Sequence, residues 1–324
     1  MPDTAVPTTP TMTRLGYGAA NLGNMFRPLD DDEAWEILEA AWDAGIRYFD
    51  TAPHYGLGLS ERRLGAFLQT KPRDQFLVST KVGRLLRPNP QDDGGLDLAN
   101  EFHVRTDLRR EWAFSEAGIR ASAAESLERM GLDRFDILYL HDPERHDLAL
   151  ALDEALPALV ALRAEGVVDA VGVGSMVSST IAAAVEAADL DIVMIAGRYT
   201  LLEQPAAADA VPACRATGTH AVAASVFNSG LLAKTRPQRT DRYEYGQLPD
   251  ELWTRLSLIV EVCERHDVPL PAAALQFALH ESVFRSVVVG GSRPAQLRQN
   301  AEWMSSPIPD AFWGELADRG LIAR

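Results

Sequence analysis

Four residues that could transfer a proton lie at, or shortly after, the ends of short apolar runs. They are Asp50, Tyr55, Lys81 and His141, and Tyr55 lies in a turn that Gly56 closes. A tyrosine hydroxyl whose pKa is lowered by a buried cation can act as an acid or a base near neutral pH. The sequence therefore predicts a proton-transfer site, provided that the fold brings these four residues together.

The composition favours a small-molecule partner. The chain has 324 residues, a formal charge of −15 and 47% hydrophobic residues. So acidic a chain is a poor fit to nucleic acid or to an anionic membrane surface. The cysteines, Cys214 and Cys263, lie in apolar helical patterns and are predicted to be buried thiols, and no Cys/His spacing suggests a metal site.

The first residues do not resemble a signal sequence. Residues 1–13 are rich in Thr and Pro and have neither a basic region nor an apolar region, which predicts a disordered tail. No apolar run reaches the roughly 18 residues of a membrane-spanning helix. We expect a cytoplasmic protein with one folded domain over residues 14–324.

Short apolar runs alternate with longer amphipathic stretches, a pattern typical of βαβ units around a parallel sheet. The eight predicted strands are Leu15–Ala19, Arg47–Phe49, Phe76–Thr80, Phe135–Leu140, Val167–Val173, Asp191–Ile195, His220–Ser225 and Ser286–Val289. Eight such units predict an α/β fold, a single (β/α)8 TIM barrel. The chemistry of that fold lies at the carboxyl ends of the strands, where the four residues fall.

Helix signals separate the predicted strands. Asp31-Asp32-Glu33, Ser60 and Ser115 are predicted to open the first three helices, and Gly131 to end the third. The stretch 148–165 has helical spacing, but Pro157 within it predicts a kink or a break.

Two connections at the carboxyl face are longer than a barrel requires. They cover residues 83–113 and 228–250. Long loops at this face are usually lids or walls of a pocket, which is the interpretation we favour over surface insertions.

Four motifs in the same order resemble the aldo-keto reductase family. They are D-x-A-x-x-Y-G at 50–56, S-T-K at 79–81, L-Y-L-H at 138–141 and G-S-R-P-x-Q-x-x-x-N at 291–300. The resemblance covers residues 14–300. Within the family, residues 196–204 and 227–232 resemble the bacterial branch of aldose 1-dehydrogenases, L-fucose dehydrogenases and pyridoxal 4-dehydrogenases.

The resemblance implies an oxidoreductase that moves a hydride between a nicotinamide nucleotide and a CH–OH or carbonyl group. It implies that Tyr55 is the general acid or base and that Lys81 stabilises its phenolate. It further implies that Asp50 holds Lys81 as an ion pair and that His141 orients the substrate oxygen. An unperturbed tyrosine has a pKa of about 10, so the lysine would have to lower it.

The cofactor expectations also come from the resemblance, since no G-x-G-x-x-G follows a strand here. The family binds NAD or NADP extended across the barrel mouth. The matching positions along the pyrophosphate and adenosine are Ser225, Phe227, Ser229, Gly290, Gly291, Ser292, Arg293, Gln296 and Asn300.

Some cofactor positions depart from the family pattern. Gly174-Ser175 and Ala196 replace the residues that usually hold the carboxamide, so Ser175 and Arg198 are candidates for that contact. Tyr199 is a candidate to stack on the nicotinamide. Glycine and glutamine at 290 and 296 replace two cations, which favours NAD or dual use over NADP.

The substrate positions are more polar than is common in the family. Ala20 and Asp142 stand where tryptophans are usual, and His54 adjoins Tyr55. A pocket that hydrogen-bonds hydroxyl groups rejects analogues without them. We therefore expect a sugar that resembles L-fucose or D-arabinose, oxidised at C1 to its lactone.

Other functions remain open from the sequence alone. One is oxidation of pyridoxal or a related aromatic alcohol, or general aldehyde reduction. Another is a barrel that binds the cofactor but has only a regulatory role, and a third is a Schiff-base aldolase that uses Lys81. The sequence does not indicate the oligomeric state.

Overall fold

Eight parallel strands form a closed barrel in the computed structural model, which describes residues 12–244 and 246–323. The barrel strands are β1 Leu15–Gly18, β2 Tyr48–Asp50, β3 Leu77–Val82, β4 Phe135–His141, β5 Val168–Ser175, β6 Ile192–Ala196, β7 His220–Ala224 and β8 Phe284–Val289. Neighbours in the chain are neighbours in the barrel, and β8 pairs with β1 to close it. The predicted (β/α)8 fold is confirmed.

Alternation along the strands produces two buried layers. One set of side chains fills the barrel interior and includes Tyr48, Tyr139 and Met194. The other set faces outward and packs under the helices, with Phe49 and Val193 among its members. Because both faces are buried, the strands are the near-continuous apolar runs that made them recognisable in the sequence.

The helices follow the strands in chain order. Their bounds are α1 Asp31–Asp43, α2 Leu59–Leu68, α3 Glu116–Met130, α4 Leu156–Ala164, α5 Ser178–Ala187, α6 Ala210–Thr217, α7 Asp250–Arg265, α8 Leu270–Phe277, α9 Pro294–Ser305 and α10 Asp310–Asp318. No helix within the described ranges is long and apolar enough to cross a membrane.

The helix ends match the sequence signals in part. Asp30, one residue before the predicted opening, caps α1 in a capping box with Glu33. Ser115 caps α3, and Gly131 ends it in a left-handed conformation, as predicted. Ser60 was expected to open α2, but its hydroxyl instead donates to the carbonyl of Ala19, and the helix begins at Leu59.

Pro157 disturbs the fourth helix as predicted. A helical turn at Leu148–Leu150 is followed by a π-helical stretch at Ala151–Ala155, and α-helical geometry resumes at Leu156. Proline has no backbone N–H for the hydrogen bond of a regular helix. The change in helical pitch just before Pro157 is consistent with that missing donor.

Both long connections contain more structure than expected. Residues 83–113 include an antiparallel pair of strands, Arg84–Pro88 and Leu108–Trp112, here called the mouth hairpin. Residues 228–250 include a short ladder between Arg242–Tyr243 and Gly246–Gln247. Neither connection is a plain loop, and the mouth hairpin follows the strand that carries Lys81.

The start of the packed chain differs slightly from the expected boundary of the tail. Met12 packs against the barrel interior, and the hydroxyl of Thr13 donates to the carbonyl of Leu15. Packing therefore begins by Met12 rather than at residue 14. Residues 1–11 lie outside the described part of the chain.

Candidate active site

An ion pair buried inside the barrel rim forms the base of the site. Asp50 is the last residue of β2, and Lys81 is the penultimate residue of β3. The Lys81 Nζ lies 2.5 Å from the Asp50 Oδ2 and donates a second hydrogen bond to the carbonyl of Thr51, at 3.0 Å. Each side chain belongs to a residue only 2% exposed, so the two charges are compensated by each other and by hydrogen bonds.

Hydroxyl groups below the ion pair hold its carboxylate in place. The hydroxyl of Ser79 donates to the Asp50 Oδ1 at 2.7 Å, and lies 3.0 Å from the Tyr48 hydroxyl. Tyr48 in turn lies 3.2 Å from the Tyr139 hydroxyl. These three hydroxyl groups, of Ser79, Tyr48 and Tyr139, are called the floor below. They leave the Asp50 carboxylate little freedom to rotate.

The charge state of Lys81 has a chemical consequence. Burial alone would lower the pKa of its ammonium group, but Asp50 and Tyr55 together raise that pKa above its usual value. A Schiff-base nucleophile needs a neutral amine, and catalytic lysines of that kind have lowered pKa values. The aldolase alternative is therefore not supported.

Tyr55 is positioned by a contact between two backbones. Gly56 has a φ of +61°, and a β-carbon there would lie 2.3 Å from the carbonyl oxygen of Gly23. At Gly23 a β-carbon would lie 2.6 Å from the carbonyl carbon of Tyr55. Only glycines allow this approach, which fixes the Tyr55 backbone against the connection that follows β1.

Lys81 contacts Tyr55, but burial determines the direction in which the pKa of the Tyr55 phenol shifts. The Lys81 Nζ lies 4.8 Å from the centroid of the Tyr55 ring. Burial raises the pKa of the phenol, whereas the charge of Lys81 and its hydrogen bonding to Tyr55 lower it, and the net direction is upward. The expectation of a lowered pKa is therefore wrong for the free protein: the ammonium limits the increase that burial causes.

His141 ends β4 and lies beside Tyr55. The two ring centroids are 5.9 Å apart in an edge-on arrangement, and the His54 ring lies 5.7 Å from His141. Burial, followed by the charges of Arg84 and Lys81, holds the pKa of His141 well below its ordinary range. The imidazole is thus neutral at neutral pH and can direct one hydrogen bond without carrying a charge.

The mouth of the site contains a second ion pair that the sequence did not reveal. Asp142 follows β4 in a left-handed conformation, with a φ of +44°. Its Oδ2 lies 3.1 Å from the Nη2 of Arg84 and 3.8 Å from the Nη1 of Arg145. The Arg145 side chain is exposed, whereas that of Arg84 is buried and lies closer to Asp142.

The mouth hairpin also fixes His54. The Nη2 of Arg110 donates to the backbone carbonyl of His54 at 2.8 Å and to the Oδ2 of Asp97 at 2.6 Å. Burial and the charge of Arg110 lower the pKa of His54 to about 2. His54 is therefore a neutral group at the mouth, and its Nδ1 is buried without a hydrogen-bond partner among the described residues.

A coiled loop after β7 borders the site on its other side. Ser225, Asn228 and Ser229 all have left-handed backbones, with φ values of +55°, +45° and +61°. The Asn228 Oδ1 is buried and has no partner within the described chain. Such backbones are strained for residues other than glycine, and they are common where successive N–H groups turn towards an anion. Phe227 between them packs against the core, half-buried.

The turn after β8 completes this face. Gly291 packs against Leu297, and its carbonyl accepts from the Tyr17 hydroxyl at 3.1 Å. The Gln296 Oε1 accepts from the backbone N–H of Ser292 at 2.8 Å. Of the other residues expected around adenosine, Gly290 and Arg293 are exposed and Asn300 is buried. Ala20, expected to contact the substrate, is half-buried after β1.

The carboxyl face of the barrel thus brings together a proton-transfer site and a loop suited to an anionic ligand. Comparison with known proteins identifies the family of the chain. A model of the Aldo/keto reductase family matches residues 14–318 of the chain. The chain belongs to the aldo/keto reductase family. It is therefore an oxidoreductase that uses a nicotinamide nucleotide.

Named relatives of this aldo/keto reductase include sugar and pyridoxal enzymes. A D-threo-aldose 1-dehydrogenase from a Pseudomonas species is 70% identical over 309 residues, which cover 95% of this chain and 94% of that protein. A pyridoxal 4-dehydrogenase from Microbacterium luteolum is 38% identical, with 97% of this chain and 95% of that protein covered.

Solved structures share the fold. The holo form of an aldo-keto reductase from Bacillus halodurans superposes with a TM-score of 0.75 at 24% sequence identity, covering 95% of this chain and 92% of that one. No group of three or more His, Cys, Asp or Glu side chains suited to a metal occurs in the described ranges.

The residues of the aldo/keto reductase face fit a dinucleotide. Ser225, Asn228, Ser229 and Gly230 have left-handed backbones, which are common where N–H groups bind an anion, and the buried Asn228 Oδ1 has no partner among the described residues. The exposed Arg293 is a cation that makes no ion pair with any described residue. These features suit a ligand that is anionic at its centre and polar at its ends.

Three residues expected to contact the nicotinamide have other partners in this structure, and their assignment to the cofactor stays a prediction. Tyr199 stacks on Phe277 and Phe284, with ring centroids 5.2 and 4.8 Å away, and is buried in the core. Arg198 forms a close ion pair with Glu244, whose connection folds over it, so its charge is already compensated. The Tyr199 ring is therefore buried by stacking on two phenylalanines under the helices.

Ser175 lies at the end of β5, as expected, but its hydroxyl is already bonded. It donates to the Glu144 Oε1 at 2.8 Å and accepts from the backbone N–H of Val177 at 2.9 Å. The second carboxylate oxygen of Glu144 is buried and unpaired within the described residues. Glu144 was not predicted, because a turn residue two positions after Asp142 carries no motif.

Proposed function

We propose that the protein is an aldose dehydrogenase that oxidises the C1 hydroxyl of a sugar to its lactone with NAD(P). The observation that carries the proposal is the Asp50–Lys81 pair beneath Tyr55, opening onto a mouth of neutral imidazoles and charged side chains. The name of the relative that is 70% identical supports the substrate class.

Each member of the site has a role in this proposal. Tyr55 takes the proton of the C1 hydroxyl in oxidation, or donates it in reduction. Lys81 stabilises the phenolate that forms, because its ammonium contacts the ring and stays protonated. Asp50 holds the ammonium at that position. The bound oxidised nicotinamide supplies the hydride acceptor.

His141 orients the reacting oxygen rather than exchanging protons in this mechanism. Its pKa is held well below 6.5, so a neutral ring accepts or donates one directed hydrogen bond. The ring lies edge-on to Tyr55, which lets both groups reach the same oxygen. Proton transfer from a positioned side chain commonly contributes about 10²- to 10⁴-fold in rate.

The substrate contacts proposed from the sequence are Ala20, His54 and Asp142. The small side chain of Ala20 leaves space, and the other two supply polar groups at the mouth. A pocket lined this way favours hydroxyl groups over an aromatic ring.

NAD, or both nucleotides, is the proposed cofactor. A 2′-phosphate would meet Arg293 and neither of the other two expected cations, since Gly290 and Gln296 occupy those positions. Arg27 comes near, because it donates to the carbonyl of Ser292 at 2.9 Å, but Glu33 already pairs with it. The cytoplasmic location expected from the sequence stays a prediction.

The test is a nucleotide-coupled assay on the purified protein. Absorbance at 340 nm should increase with NAD or NADP and L-fucose or D-arabinose, and the product should be the lactone. Absence of turnover on every aldose, with nucleotide binding intact, would exclude the proposal.

A second candidate is oxidation of pyridoxal, favoured by the relative that is 38% identical. It predicts higher kcat/KM for pyridoxal than for L-fucose or D-arabinose under the same conditions. The same assay with the three substrates side by side distinguishes the two functions.

A further inference from the structure

We propose that Arg84 determines sugar specificity: with Asp142 it forms a clamp for the hydroxyl group next to the reacting carbon. The inference rests on the proposed aldose oxidation, and it names the residue that would recognise the C2 hydroxyl. Arg84 and Asp142 are called the clamp below.

The Arg84 guanidinium is held on two sides. Arg84 follows β3 by two residues and begins the mouth hairpin, so its position is tied to the strand that carries Lys81. Its Cζ lies 4.3 Å from the centroid of the Trp112 ring, and its side chain is only 6% exposed. The planar group is thus fixed by stacking on one face and by Asp142 at one edge.

Asp142 is aimed by its backbone. Its N–H donates to the carbonyl of Gly174 at 2.9 Å, and its left-handed φ turns the side chain back towards the hairpin. The carboxylate Oδ2 that meets Arg84 also lies 3.6 Å from the Nε2 of His141. One carboxylate oxygen therefore lies between the group that orients the reacting oxygen and the guanidinium.

That spacing suits two adjacent hydroxyl groups. If His141 and Tyr55 hold the oxygen at C1, the neighbouring oxygen at C2 faces the clamp. A hydroxyl there can donate to the Asp142 carboxylate and accept from the Arg84 guanidinium, using both of its hydrogen-bonding roles. An arginine with a fixed fork of donors presents this arrangement better than a flexible lysine.

Stability alone does not account for the clamp. A buried ion pair is often no more stabilising than apolar side chains of the same volume, because both charges must be removed from water. Here the charges also impose a cost on their neighbours, since Arg84 is the charge that most lowers the pKa of His141. The Nε of Arg84 is in addition buried without a partner in the described chain. Binding of a sugar hydroxyl would explain why charged side chains occupy this buried position.

The test compares D-arabinose with 2-deoxy-D-ribose, two sugars that differ only in the hydroxyl at C2. We expect the unmodified enzyme to prefer D-arabinose in kcat/KM by about 10- to 100-fold, the range for a hydrogen bond to a charged group. Arg84→Gln should remove most of that preference, mainly through a higher KM for D-arabinose. Arg84→Lys should keep part of it.

The matched control is Arg109→Gln. Arg109 lies on the other strand of the mouth hairpin, is exposed, and pairs with Glu111 rather than with the site. It should leave the preference unchanged. For Arg84→Gln, nucleotide affinity measured by fluorescence quenching should stay within about twofold of that of the unmodified enzyme, because nucleotide binding does not involve the C2 hydroxyl of the sugar.

The outcomes separate the two proposals. If the unmodified enzyme oxidises no aldose, the proposed function and the clamp both fail. If it oxidises D-arabinose but Arg84→Gln keeps the full preference, because the kcat/KM values for D-arabinose and 2-deoxy-D-ribose fall equally or not at all, only the clamp fails. Should Arg84→Gln not fold, Asp142→Asn must show the same loss of preference, and an unchanged preference there would equally overturn the clamp.

Discussion

The proton-transfer centre and the nucleotide-binding rim lie at the same end of the barrel but are built differently. In the centre, Asp50, Lys81 and His141 belong to the barrel strands themselves, are buried, and contact one another or shared neighbours. On the rim, Ser225 and Arg293 lie in loops and are exposed.

The difference indicates which part of the reaction is organised in advance. Strand ends have fixed positions in a closed barrel, so the ion pair and its hydroxyl floor form without any ligand. The rim instead keeps a strained backbone and the orphaned Asn228 oxygen, features that a ligand would satisfy. We expect changes in the centre to affect the rate, and changes in the rim to affect nucleotide affinity.

The largest effect is expected from removing the Tyr55 hydroxyl. Tyr55→Phe should lower kcat by about 10²- to 10⁴-fold, the contribution typical of a positioned acid or base. Nucleotide affinity should change by less than about twofold, since the rim is untouched. Steady-state kinetics and fluorescence titration measure the two quantities, and a loss of affinity as large as the loss of rate would contradict the separation of centre and rim.

Tyr139→Phe is the matched control. Its hydroxyl contacts Tyr48 in the floor, three hydrogen bonds away from Asp50. Most of the activity should remain, with a small decrease in thermal stability. Equal losses in the two variants would mean that Tyr55 has no special role.

The next largest effect concerns the buried ion pair. Asp50→Asn leaves the Lys81 ammonium buried without its carboxylate, which should destabilise the fold by about 3–5 kcal/mol and reduce activity strongly. Asp50→Asn combined with Lys81→Met removes both charges and should recover much of the stability while activity stays low. Thermal unfolding and kcat on each variant test this, and a double variant as active as the unmodified enzyme would refute the role of the ammonium.

An intermediate effect is expected from pH. Burial raises the pKa of Tyr55, and sugar oxidation requires its deprotonated form, so kcat/KM for oxidation should increase about tenfold per pH unit below that pKa. Aldehyde reduction uses the protonated form and should show the opposite dependence, falling only at alkaline pH.

His141 should contribute nothing to either profile near neutrality. Its pKa lies well below 6.5, so it does not change charge between about pH 6 and 8. A further ionisation in that range, abolished by His141→Gln, would show that the imidazole takes part in proton exchange after all.

Much of the centre could be predicted from the sequence because its residues are tied to strands. Buried strands are recognisable as apolar runs, and a closed barrel brings their carboxyl ends to one rim, so Asp50, Lys81 and His141 needed no knowledge of loops. Tyr55 lies in the turn after β2 and was identified by its motif; the structure shows that Gly56 fixes its position through the close approach to Gly23.

The mouth and the rim could not be predicted to the same degree. Arg84 belongs to a connection predicted to be a lid or a wall of the pocket, without any residue in it being singled out. Its pairing with Asp142 depends on a left-handed turn at Asp142 that nothing in the sequence specifies. Tyr199 was a candidate to stack on the nicotinamide in place of the usual aromatic, but its ring packs onto Phe277 and Phe284. Side-chain direction beyond the end of a strand depends on tertiary packing rather than on local pattern.

The smallest effect, and the one that most sharply tests the rim, comes from Arg293. Arg293→Ala removes the one exposed cation expected beside the 2′-position, so the Kd for NADP should increase about two- to fivefold, as for one solvated charge contact. The Kd for NAD and the kcat with saturating NAD should stay the same, because the centre is independent of the rim. Arg298→Ala, an exposed change on the same helix α9, is the control for a general effect of charge on nucleotide affinity. If Arg293→Ala weakened both nucleotides equally, the residue would contact a group that they share, and selection between NAD and NADP would have to lie elsewhere, with Arg27 as the next cation to test.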